Sequence, residues 1–186
     1  IVMAAMKKVI ILPGNGCTPV RAANWYGWLE SKLIESGVEV AMSDMPDPFK
    51  ARENIWLPFI REKLGANENC IVVGHSSGAE AGMRLLEETR VHGLVLVSAC
   101  HTDLGEASEA ISGYYARPWE WAKIKANATF ISQFASLDDP FIPIAEMHHV
   151  RDNLNTEYIE YTDRGHFMTQ KFPELLAHVL EKAKSA

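Results

Sequence analysis

A chain of 186 residues, 47% hydrophobic and 23% charged, has the makeup of one soluble globular domain spanning residues 1–186. A formal net charge of −6 argues against nucleic acid or an anionic membrane surface as partner, and no apolar run is long enough to span a bilayer. Three widely spaced cysteines, Cys17, Cys70 and Cys100, have neither metal-ligand spacing nor the even count of a disulfide framework, so a reduced compartment is expected, the cytoplasm or the nucleus.

Residues 1–6 lack a secretory apolar core, and because the chain opens on Ile, Met3 or Met6 is expected to lie nearer the native start. Residues 8–12 (Lys-Val-Ile-Ile-Leu) read as a strand buried on both faces, followed by the loop Pro13-Gly14-Asn15-Gly16. Residues 24–37 predict an amphipathic helix capped by Asn24, with Trp25, Trp28, Leu29 and Leu33 on one face and Gly37 as its stop. A second strand is expected over 38–42, ended by Asp44-Met45-Pro46-Asp47-Pro48. Residues 52–64 predict a helix that Pro58 should kink or split. Strands follow at 70–73, 94–97, 129–134 and 158–161, and helices at 79–88, 144–154 and 173–184. Residues 102–127 form the one irregular stretch. Alternating strands and helices imply a three-layer, doubly wound α/β architecture around a mostly parallel six-stranded sheet.

The third strand runs into Gly74-His75-Ser76-Ser77-Gly78, a Gly-x-Ser-x-Gly segment between strand and helix. That context makes it a nucleophile elbow: the serine sits on a strained turn and the glycines make room for it. Ser76 is the expected nucleophile, and a serine hydroxyl needs a base. Of seven histidines, His166 follows the last strand, where a doubly wound hydrolase delivers its base. His75 is expected to point elsewhere, His92 lies at the wrong edge, and His148, His149 and His178 fall in helices. His101 is a candidate pocket residue. The orienting carboxylate falls to Asp138 or Asp139 after the fifth strand; Pro140 holds Asp139 extended, which favours Asp139 with Asp138 as competitor. The backbone N–H groups of Ser77 and Asn15 are the expected oxyanion donors. Trp25, Trp28, Trp56, Tyr114, Tyr115, Trp119 and Trp121 could wall an apolar acyl pocket, with core packing the expectation for Trp28 and Trp56. No cofactor or metal site is expected.

These pieces resemble the alpha/beta-hydrolase superfamily and, within it, the small serine hydrolases of the retinoblastoma-binding protein 9 family. The resemblance covers nearly the whole chain. It rests on Pro13-Gly14-Asn15-Gly16, Trp25-Tyr26-Gly27-Trp28, Met45-Pro46-Asp47-Pro48, Ile55-Trp56-Leu57-Pro58-Phe59, the elbow, Val95-Leu96-Val97-Ser98-Ala99, Arg117-Pro118-Trp119, Asp138-Asp139-Pro140-Phe141 and Gly165-His166-Phe167. It implies a minimal alpha/beta-hydrolase fold without a large lid, and a Ser76, Asp139, His166 triad acting on small ester or amide substrates. It also implies a Leu-x-Cys-x-Glu segment for binding the retinoblastoma protein. Here Leu64-Gly65-Ala66-Asn67-Glu68 has alanine in place of the cysteine, so that partner is not expected. The rival expectation is a non-catalytic protein-binding module on the same fold.

Overall fold

In the computed structural model, residues 5–184 are described. Residues 1–4, and with them Met3 as a candidate start, lie outside the described residues. Six strands form one sheet: β1 (Lys8–Leu12), β2 (Val40–Ala41), β3 (Cys70–His75), β4 (Gly93–Val97), β5 (Phe130–Ser136) and β6 (Glu157–Tyr161). Their order is β2-β1-β3-β4-β5-β6, and every pairing is parallel. The order reverses between β1 and β3, which opens a crevice beyond their carboxyl ends.

Side-chain alternation on the central strands divides the core in two. Val9, Ile11, Ile71, Val73, Val95 and Val97 face one side, where α1 (Tyr26–Glu35) and α7 (Pro173–Lys184) cover them. Ile10, Leu12, Val72, Leu94 and Leu96 face the other, under α2 (Glu53–Glu62) and α3 (Ser77–Leu86). The long connection after β4 holds two short helices, α4 (Ala107–Ala110) and α5 (Trp121–Ala126), and α6 (Ile144–Leu154) precedes β6.

Several sequence expectations are revised. Asn24 does not cap α1: its φ is 45°, outside the extended range of a cap, and Trp25 holds the cap position. The end of α1 is as expected. Gly37, at φ 84°, sends its N–H to Ile34 O while Val38 N–H reaches Leu33 O, a Schellman closure. That closure takes up the Val38 N–H, and β2 is only two residues long. Pro58 does not split α2. Buried Trp56, Leu57 and Ile60 hold both halves against the core, and tertiary packing outweighs one lost backbone bond.

Candidate active site

The elbow forms because two glycines let backbones meet. A Cβ on Gly74 would strike the Gly78 carbonyl, and one on Gly78 would strike the carbonyl of Leu12 at the end of β1. The chain can therefore turn from β3 into α3 within one residue, leaving Ser76 at φ 54° and ψ −121°. Such a conformation costs a non-glycine residue on the order of 1–3 kcal/mol. It puts Ser76 at the N-terminus of α3, where helix dipole and free N–H groups favour negative charge.

Ser76 opens onto a cavity of about 490 Å³, which Gly14, Asn15, Glu80 and His166 also line. His166 arrives on the loop after β6, with its Nδ1 2.8 Å from Asp139 Oδ2. The Asp139 side chain is fully buried, and its other oxygen accepts the N–H groups of Phe141 (2.9 Å) and Ile142 (3.0 Å). Burial pushes the Asp139 carboxyl up, but His166 and these two amides outweigh burial and hold it below the ordinary carboxylate value. An ionised Asp139 keeps the His166 proton on Nδ1 and leaves Nε2 free to accept another.

Asp138, the competitor, turns the other way. Its Oδ1 accepts Ser136 Oγ (2.6 Å) and Gly165 N–H (2.8 Å), so it braces the loop that carries His166 without touching the imidazole. Ser136 Oγ accepts Arg164 N–H at 2.9 Å in the same brace. Across the cavity, neither the Asn15 N–H nor the Ser77 N–H has a partner among the described residues.

A family model described as serine hydrolase matches residues 9–175. The chain belongs to that serine hydrolase family. It is 48% identical over 175 residues to Serine hydrolase RBBP9 of Rattus norvegicus, an alignment covering 94% of each chain. Its fold is similar to that of the ydeN gene product of Bacillus subtilis, with a TM-score of 0.85 at 23% identity over 96% of this chain and 100% of that one. It is also similar to MGS-M2, an alpha/beta hydrolase from a deep-sea metagenome, with a TM-score of 0.68 at 13% identity, covering 100% and 92%. The architecture is thus an alpha/beta-hydrolase fold, and no helix of the described residues is long and apolar enough to cross a membrane. Among those residues no group of three or more His, Cys, Asp or Glu is arranged to hold a metal ion.

In this serine hydrolase the histidine beside Ser76 is part of the site's frame. His75 is buried, and its Nε2 donates to the His166 carbonyl at 2.8 Å. Its Nδ1 lies 2.6 Å from the Tyr26 hydroxyl, which in turn accepts Gly14 N–H (3.0 Å) and Asn24 Nδ2 (3.2 Å). Burial, with help from nearby His166, lowers the His75 pKa to about 3, so the ring is neutral and Nδ1 accepts the Tyr26 proton. Trp25 Nε1 adds a bond to the Phe167 carbonyl at 3.1 Å. Nothing in the residue pattern marked these contacts, although Tyr26 and Trp25 fall inside a quoted motif.

The aromatic wall expected from the sequence is mostly elsewhere. Trp25, Trp56 and Tyr114 are core residues, and Trp119 stacks under the Arg84 guanidinium at 3.8 Å. Only Tyr115 of that set lines the cavity, joined by Leu104, Phe141, Ile142 and Met168. His101 does not line it either: its ring stacks on His149 with centroids 3.8 Å apart. The first turn of α3 hides the other omission. Glu80, one turn beyond Ser76, is buried and lines the cavity.

Proposed function

We propose that this serine hydrolase cleaves small ester or amide substrates through a Ser76–His166–Asp139 triad and an acyl-enzyme. The observation that carries this reading is the 2.8 Å bond from His166 Nδ1 to buried Asp139, with His166 and strained Ser76 lining one cavity. His166 Nε2 takes the Ser76 proton as Oγ bonds to the substrate carbonyl carbon. The carbonyl oxygen becomes an oxyanion held by the Asn15 and Ser77 N–H groups. Collapse breaks the bond to the alcohol or amine, which leaves with the proton from His166. A water, deprotonated by His166, then attacks the acyl-enzyme, and the acid departs as Ser76 regains its proton.

Retinoblastoma-protein binding is not part of this proposal. Ala66 stands where the motif cysteine would be, and Leu64 is buried in the core. The decisive experiment treats the pure protein with a fluorophosphonate and maps the adduct by mass spectrometry. The adduct is expected on Ser76 and its labelling should vanish in Ser76→Ala. An adduct on Ser77, or labelling that survives the substitution, overturns the assignment.

A further inference from the structure

Glu80 is a carboxyl group with no cation to justify its burial. It is 2% exposed, and its Oε1 accepts the Cys100 N–H at 2.6 Å. No other described residue donates to its second oxygen, and the residue lines the cavity. Neither Lys nor Arg lines that cavity, whereas Glu106 and Glu109 do. Arg84, the next cation along α3, is spent on Glu87 and on the carbonyls of Tyr114, Arg117 and Pro118. Burial, with the charges of Glu109 and Glu146 nearby, pushes the Glu80 carboxyl well above the ordinary range. With no cation in the lining to hold a carboxylate, the cavity favours the acid form, and because Oε1 accepts the Cys100 N–H, its O–H falls on the oxygen to which no other described residue donates.

We propose that Glu80 is a specificity-determining residue whose carboxylic acid donates a hydrogen bond to an oxygen acceptor on the acyl group, so that the cavity selects short acyl chains bearing a ketone or ether oxygen. This rests on the hydrolase reading above. Glu80 belongs to the acyl side because it is buried one helical turn from Ser76, and the acyl group stays bound to Ser76 after the alcohol or amine has left. One helical turn rises about 5.4 Å, which sets the acceptor four or five bonds from the scissile carbonyl. An alkyl chain there would leave the O–H without a partner, and an unmet buried donor is penalised more than a met one is rewarded.

The test compares the 4-nitrophenyl esters of 5-oxohexanoic and hexanoic acid. Wild type should favour the oxo ester by about tenfold in kcat/KM, the factor a net hydrogen bond supplies. Glu80→Gln, whose amide can accept Cys100 N–H and donate into the cavity, should keep that ratio within about threefold. Glu80→Leu should bring it to about one, with circular dichroism reporting the fold of each variant. Equal turnover of both esters by wild type overturns the role of Glu80 and leaves the hydrolase reading intact. Loss of the ratio in Glu80→Gln as in Glu80→Leu, with preference for a 5-(trimethylammonio)pentanoate ester, also overturns it, because the group would then be a charge anchor. A second readout needs no turnover: Ser76→Ala should bind N-methyl-5-oxohexanamide more tightly than N-methylhexanamide by calorimetry. Equal binding overturns the proposal, whereas tighter oxo binding with neither ester hydrolysed by wild type supports it and removes the hydrolase reading.

Discussion

Replacing Asp139 by Asn keeps the side chain's shape and one acceptor oxygen, which the N–H groups of Phe141 and Ile142 would continue to hold. The new amide nitrogen must then face His166 Nδ1, where a carboxylate oxygen stood at 2.8 Å. Two donors cannot share one bond, so Nδ1 becomes the acceptor and the ring proton moves to Nε2. His166 would then present a proton to Ser76, whereas the proposed mechanism needs it to take one. In the protease that provides the reference case, this change lowers turnover by about 10⁴, which is roughly 5 kcal/mol of barrier. The Asp139 side chain is fully buried, so solvent cannot take its place, and a loss on the order of 10³–10⁴ is expected here. Asp138→Asn keeps an amide oxygen for Ser136 Oγ and Gly165 N–H at an exposed position, and should cost only about threefold. The assay is kcat/KM on one activated ester, with far-UV circular dichroism to verify folding. A crippled Asp138→Asn beside an active Asp139→Asn would refute the reasoning.

Two further outcomes concern the frame of the site. Because burial lowers the His75 pKa to about 3 from an ordinary value near 6.5, the unfolded chain binds a proton in that window that the folded chain refuses. This contribution to stability is present above pH 6.5 and is lost as pH falls toward 3, by up to about 1.4 kcal/mol per pH unit. Urea midpoints at pH 7, 5.5 and 4.5 should fall less steeply in His75→Gln, and an unchanged slope counts against the assignment. Gly78→Ala would drive a Cβ into the Leu12 backbone, where the nearest carbon and the Pro13 oxygen are both 2.7 Å away. Overpacking against a backbone should cost about 3 kcal/mol and lower Tm by roughly 6–12 °C in a chain of this size; a Tm within 2 °C of wild type rules the collision out.

Much of this architecture was legible because it is written in periodic or punctuated signals. Helix α6 and helix α7 match their expected bounds, and β1 does also, since apolar spacing and flanking turn residues agree there. The elbow was legible because Gly-x-Ser-x-Gly between a strand and a helix is a punctuated local pattern. What escaped was set by tertiary contact. β3 continues through Gly74 and His75, and α3 begins at Ser77, where glycine and serine look like a turn until neighbouring backbones close on them. Asn24 reads as a helix cap, yet its amide serves the Tyr26 hydroxyl. Glu80 falls in the helix expected over 79–88, but every residue of α3 is buried, and no local pattern announces that. The choice between Asp138 and Asp139 is likewise a matter of which oxygen meets His166, a distance of 27 residues along the chain.

The Tyr26 hydroxyl joins parts of the site that are remote in sequence. It receives Gly14 N–H from the loop after β1 and gives its proton to His75, which holds the carbonyl of His166. None of Leu104, Tyr115, Ile142 or Met168, which line the cavity, contributes a side chain to that chain of bonds. That part of the lining is therefore separable from the bonded frame, which lines the cavity through Gly14, Tyr26, His75 and His166. Substitutions at Leu104, Tyr115, Ile142 and Met168 can change the shape of the cavity, while Ser76, His166 and the loop after β1 keep their mutual geometry. A change at Tyr26, the first residue of α1, would loosen both loops at once.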